Sequence, residues 1–166
     1  MSVHVTLAPL LAYSDHERDK WRRWIAADPA RLAVPFHAGG RFANVAALLD
    51  HVFLVERRHL SRLEGATPPT STGVPAGDWS ALFDYADLVR ADFRSYIDGL
   101  DEATAAQPMT ITGLQSSGDV TMTKRRLVTH ILLHEIRHFA QLAYAARLAG
   151  HAPPGEHDIF YFEGFS

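Results

Sequence analysis

Apolar residues recur at helical spacing in four stretches of the chain. From about Leu7 to Ala27, Leu7, Leu10, Leu11, Trp21, Trp24 and Ile25 form an interrupted stripe that predicts a helix. Asp28-Pro29 ends it, because a residue before proline is driven out of the helical region. The middle of this stretch, YSDHERDK, is strongly polar, so that turn is either exposed or lines a pocket. A second pattern starts after Gly39-Gly40. Asn44 suits its N-cap, and VAALLDHVFLVERRHLSRL runs on to Gly65. TPPTSTGVPAG then reads as a long surface loop.

The third helix is predicted after Asp78, in WSALFDYADLVRADFRSYIDGL, with Trp79, Leu82, Phe83, Leu88, Phe93 and Ile97 as its buried side and Gly99 near its end. In MTITGLQSSGDVTMT, two alternating stretches flank a Ser-Ser-Gly-Asp turn, the pattern of a small hairpin. The last stretch, KRRLVTHILLHEIRHFAQLAYAARLAG, is the most regular. Thr123 suits its N-cap, Gly150 its left-handed stop, and Pro153-Pro154 follow. Four long helices with two sizeable connections predict an all-α fold, a four-helix bundle forming one domain over residues 1–166. No internal repeat is visible.

Composition narrows the function. With 166 residues, 47% apolar and 21% charged, the chain has the balance of a globular protein with one core. A net charge of −3 and no Lys/Arg run argue against a nucleic-acid partner. No apolar run approaches the roughly 18–20 residues of a membrane span. Cysteine is absent, which excludes disulfides, Cys-ligated zinc and a protein thiol nucleophile, and fits a reducing compartment. The N-terminus lacks the layout of a signal peptide. A soluble cytoplasmic protein acting on a small molecule is expected. The apolar tail DIFYFEGFS is expected to pack on the bundle or on the second subunit of a homodimer.

Histidine is the outlier, at ten residues, five of them between His51 and His138. His130, His134 and His138 climb one face of the last helix at four-residue spacing. Side chains one turn apart lie roughly 5–6 Å apart at Cβ, close enough for His134 and His138 to chelate one divalent ion. Leu127, Ile131 and Leu142 surround the ladder and turn it inward, where an unpartnered histidine pair would carry a desolvation cost that a metal offsets. His130 lies about 6 Å further along the axis than His134, and reads more simply as a structural residue. A catalytic metal usually takes a third protein ligand and keeps a position open. His51, mid-helix in LLDHVFLVE, is the best candidate. His59, beside Arg57 and Arg58, is expected at the surface. His4, His16, His37, His151 and His157 read as structural or exposed, with His16 a candidate pocket residue.

HEIRH also matches the H-E-x-x-H signature of zinc proteases, in which the glutamate is the general base. The sequence argues against that reading. No convincing strands precede the motif, and Gln141 and Tyr144 stand where an extended metzincin pattern needs glycine and histidine. Glu156 and Glu163, the remaining carboxylates for a distant ligand, lie beyond Pro153-Pro154. Glu135 is about 100° around the helix from His134 and is expected to be structural or to support a ligand from behind.

The chain resembles the DinB/YfiT-like metalloproteins along nearly its whole length. LLAYSDHERDKWRRWI is similar to the family's opening helix, and ANVAALLDHVFLVERRHL to its second, where a histidine before an E-R pair is a metal ligand. HILLHEIRHFAQ is similar to its last, usually H-x-x-x-H-x-x-H-H-R-G-Q. Arg137 replaces the first histidine of the usual pair, and Phe139-Ala140 replaces Arg-Gly. The resemblance implies a four-helix bundle with a divalent metal (zinc, nickel or iron) on His51, His134 and His138. It also implies transfer or isomerisation chemistry with a low-molecular-weight thiol. The other readings are a metal-dependent hydrolase and a non-catalytic, metal-stabilised binding or stress-response module.

Overall fold

A computed structural model describes residues 7–36, 40–112 and 118–165. The elements are α1 (Leu7–Ala27), a 3-10 turn (Pro29–Ala33), α2 (Val45–Leu63), α3 (Trp79–Asp98), a single-turn α4 (Glu102–Ala105), the strands β1 (Pro108–Ile111) and β2 (Val120–Thr123), α5 (Lys124–Leu148), and two short 3-10 turns at the C-terminus. The predicted caps form. Side-chain oxygens of Asn44, Asp78 and Thr123 accept from the amides of Ala47, Ala81 and Arg126 at 3.0, 3.0 and 3.2 Å. Gly150 takes a positive φ of 80° just past α5, a conformation that side chains with a Cβ rarely adopt. The hairpin is present, with Pro108 opposite Thr123 and Ile111 opposite Val120. Ser116 and Ser117 of its turn, like His4 and His37, lie outside the described residues.

Cross-helix pairs give the direction of each helix. Arg22 with Asp87 and Arg94 with Asp15 run α1 antiparallel to α3. Phe53 against Phe83 and Arg57 with Asp92 run α2 parallel to α3. Ser14 with Glu135 and Trp21 near Phe139 run α1 parallel to α5, whereas His51 near His138 and His59 near His130 run α2 antiparallel to α5. The bundle is therefore up-down-down-up. Two consecutive parallel helices require a connection that returns along the bundle, about 28 Å for a helix of 19 residues. The Pro/Gly-rich loop between α2 and α3 makes that return. Arg58 fastens it by donating to the carbonyls of Pro69 and Thr70, both at 2.8 Å, and Thr72 by donating to Asp50 at 2.6 Å.

The core divides into two apolar clusters. One gathers Trp21, Ile25, Phe53, Phe83 and Phe139, and the other Leu11, Leu60, Phe93, Leu127 and Leu132. Between them lies a linked set of buried charges with a member from each long helix: Arg18, Glu56, Arg90 and Glu135. Arg18 donates to Glu135 at 2.8 Å and to Glu56 at 2.6 Å, and Arg90 donates to Glu135. Arg90 Nε also lies 3.1 Å from Glu56 Oε1, an ion-pair contact without hydrogen-bond alignment. The layer is neutral overall, with each arginine in contact with both carboxylates. Its residues on α1, Ser14 and Arg18, belong to YSDHERDK, so one side of that stretch is buried in the layer, while His16 and Asp19 on its other side stay exposed.

Two other expectations need correction. Leu88 is 70% exposed, because Phe83, Ala86, Val89 and Phe93 set the buried face of α3. His59 is 7% exposed and not at the surface, because α5 covers it. The C-terminal segment folds back on α1. Trp24 donates to the Ala152 carbonyl at 2.7 Å, Tyr13 to the His157 carbonyl at 2.6 Å, and His157 stacks on Trp21. Phe162 packs on Tyr13 and His16, whereas Ile159, Phe160 and Tyr161 stay exposed. No helix among the described residues is long and apolar enough to cross a membrane.

Candidate metal centre

Because α2 and α5 run antiparallel in contact, histidines spaced along each helix meet across the seam. His51 from α2 faces His134 and His138 from α5, with ring centroids 5.3 and 5.2 Å away. One ring nitrogen of each lies within 4.8 Å of the other two, and all three residues are half-buried. The Nε2 atoms of His134 and His138 are 3.1 Å apart. Two nitrogens on a tetrahedral ion at about 2.0–2.1 Å would be roughly 3.3 Å apart, so the pair already has nearly the spacing of two ligands. His138 Nδ1 lies 2.6 Å from Gln141 Oε1. A carbonyl acceptor there places the proton on Nδ1 and leaves Nε2 free to bind a metal, the usual support for a ligating histidine. Phe42 caps the group, its ring 4.8 Å from that of His51 and 5.8 Å from that of His138.

The electrostatics keep these imidazoles neutral. Burial, then Arg41, His138 and Arg58, lower the pKa of His51 to about 4. Burial and the neighbouring rings, His138 foremost, lower that of His134 to about 2. For His138 burial also dominates and the shift is downward, with the Gln141 bond opposing it. A neutral imidazole with a free lone pair is the form that binds a metal. The residues present fit a divalent ion.

The seam continues past the three. His130 lies 5.5 Å from His134, and His59 packs edge-on against His130 at 5.3 Å. The sequence reading missed this second pair. The signal was there: His51 and His59 are spaced by eight, as are His130 and His138, and two antiparallel helices bring such spacings into register. His16 is exposed and packs on Phe162, away from the seam. A surface cleft of about 880 Å³ along Asn44, Ala47, Asp50, Thr72 and Trp79 includes none of the three histidines. The donor set is the better guide to the site, since ligand nitrogens are chemically specific and an open apolar cleft is not.

Glu135 is turned away from the seam. It accepts from Ser14 at 2.6 Å and pairs with Arg18 and Arg90, both within the charged layer. Burial alone would raise its pKa, but the two guanidiniums and the Ser14 hydroxyl outweigh that and hold it low. A carboxylate so paired is a structural ion and not a free base. The general-base geometry of an H-E-x-x-H protease is absent among the described residues.

A pH dependence follows for the metal-free protein. His51, His59 and His134 have depressed folded-state pKa values, about 4, 3 and 2, while the unfolded chain titrates near 6.5. Below that pH the unfolded state binds more protons, so stability falls as pH drops, by at most about 1.4 kcal/mol per pH unit for each histidine. The melting temperature should be flat above pH 7 and decline from about 6.5 downward. In His59→Gln that decline should be shallower, and equal slopes would contradict the assignment.

Comparison with known proteins agrees with this architecture. A solved structure, the conserved protein of locus from Enterococcus faecalis, matches with a TM-score of 0.62 at 17% identity, over 89% of this chain and 98% of that chain. At that identity the likeness is one of fold. No curated protein matches the sequence significantly. The model of the DinB family matches residues 1–163. With a helical bundle, a three-histidine cluster and a match over nearly its whole length, the chain belongs to the DinB family.

Proposed function

We propose that His51, His134 and His138 ligate a divalent metal ion (zinc, nickel or iron) and that the protein is a metal-dependent S-transferase or isomerase using a low-molecular-weight thiol. The observation that carries the reading is the convergence of three neutral imidazole nitrogens within 4.8 Å. Such an ion would lower the pKa of a coordinated thiol and favour its thiolate, the nucleophilic form. The chain's own part is positional. Gln141 holds the His138 tautomer, Phe42 screens one side of the group, and the charged layer fixes α2 against α5. Two features favour thiol chemistry over hydrolysis. Glu135, the base a hydrolase of this motif would use, is tied up in ion pairs, and no protein cysteine competes for the metal.

Cobalt substitution tests the reading. Adding 2-mercaptoethanol to the cobalt-loaded protein is expected to produce a sulfur-to-metal charge-transfer band, because a thiolate is a soft, strongly donating ligand. Ester or amide turnover, with a spectrum unmoved by saturating thiol, would assign the protein as a hydrolase. Neither turnover nor a spectral change would leave a binding module.

A further inference from the structure

The arginines divide by position. Seven of the fourteen (Arg18, Arg22, Arg31, Arg57, Arg90, Arg94 and Arg125) pair with carboxylates. Of the seven with no carboxylate partner among the described residues, five act on the histidine seam. Arg41 and Arg58 bear on His51, Arg58 and Arg62 on His59, Arg126 and Arg137 on His130, and Arg137 and Arg41 on His138. None of these histidines lies within ion-pair distance of a carboxylate among the described residues, whereas His157 does. In a chain with net charge −3, this is a segregation of charge and not an excess of it.

Two of these cations are exposed and adjoin residues of the three-histidine group. The Arg41 guanidinium lies over the Phe42 ring, 5.4 Å from its centroid, and that ring touches both His51 and His138. Arg137 precedes His138 directly on α5 and is exposed, as is Arg41. Arg58 and Arg62 are already engaged, by loop carbonyls and by His59 Nδ1. Arg126 bears on His130, outside the three-histidine group, which leaves Arg41 and Arg137 to meet a ligand there.

From this arrangement we infer that the site takes a small molecule bearing an anionic group, a carboxylate or phosphate, which Arg41 and Arg137 bind while the molecule's reactive end reaches the three histidines. The inference rests on the proposed metal-site reading for where the reactive end sits. The charge preference itself depends only on the arginines. Unpaired guanidiniums beside a half-buried site raise the local concentration of anions and match a carboxylate in fork geometry.

Two isosteric pairs of probes separate the ideas. For the cobalt-loaded protein, 3-mercaptopropionate should bind about five- to tenfold more tightly than 3-mercaptopropanamide at low ionic strength. That ratio should shrink as salt is raised. In Arg41→Gln/Arg137→Gln it should fall towards one, while Arg41→Lys/Arg137→Lys should keep most of it. Succinate against succinamide, followed by calorimetry, tests the charge preference without any thiol. If no thiol alters the cobalt spectrum but succinate binds in an arginine-dependent way, the thiol reading fails and the anionic subsite stands. If charged and neutral probes bind equally, or the glutamine variants leave the ratio unchanged, the subsite is overturned whatever the thiols do. Circular dichroism of each variant confirms the fold, which exposed positions should tolerate.

Discussion

Glu135→Ala is expected to destabilise the protein by about 3–5 kcal/mol, the usual cost of removing one partner from a buried ion pair. The carboxylate neutralises Arg18 and Arg90 where all three side chains are nearly inaccessible to water. Without it, Ser14 loses its acceptor and two guanidiniums face a single remaining glutamate, Glu56. Urea unfolding of the metal-free protein measures the loss. Glu135→Gln should share part of it while retaining the metal and lowering turnover only modestly. A general base at this position would behave otherwise, costing about 10²–10⁴-fold in rate with stability unchanged. That outcome would return Glu135 to the chemistry and remove it from the scaffold. Replacing Arg18, Glu56, Arg90 and Glu135 together with apolar residues of similar volume should cost far less than Glu135→Ala, since an apolar layer leaves no buried charge unpaired.

His51→Ala is the second large effect. The metal affinity of four-ligand zinc sites corresponds to about 10–16 kcal/mol, or roughly 3 kcal/mol for each ligand, so losing one of three should weaken binding by at least about a hundredfold. His134→Ala and His138→Ala should do the same. Metal analysis of the purified variants reads the result, and thermal unfolding with and without added zinc gives an independent measure through mass action. Retention of metal by His51→Ala would break the three-ligand arrangement. Gln141→Leu provides a graded comparison, with a loss of about 10–100-fold expected when the hydrogen bond behind a ligating histidine is removed.

Much of the fold was legible in the sequence because its signals are local. Asn44, Asp78 and Thr123 cap helices through their own side chains, and Gly150 stops α5 through its own backbone freedom. Helical periodicity located the four long helices for the same reason. The ligand pair on α5 was legible too, since four-residue spacing alone puts His134 and His138 on one face. His51 was reached only by asking what a metal would lack, and by resemblance.

The misreadings share one cause. Periodicity classifies a residue by its own polarity, whereas burial is decided by what packs against it. YSDHERDK looked like solvent or pocket because it is charged. Its inner side is buried because Arg18 meets Glu56 and Glu135 from two other helices, while His16 and Asp19 face outward. His59 looked exposed beside two arginines, but α5 covers it with His130. Leu88 looked buried, but the face of α3 that carries it has no neighbour.

What the sequence determined by itself was therefore the set of elements, their ends and the chemistry available on each, because caps, turns and residue types act within a few positions along the chain. Only the tertiary structure decided the up-down-down-up order, the neutral charged layer at the centre, and the register that sets His51 opposite His134 and His138. Those depend on pairings between residues up to 121 positions apart, such as Ser14 with Glu135. Their free energy comes from charges and lone pairs satisfying one another across helices, which no single stretch of sequence contains.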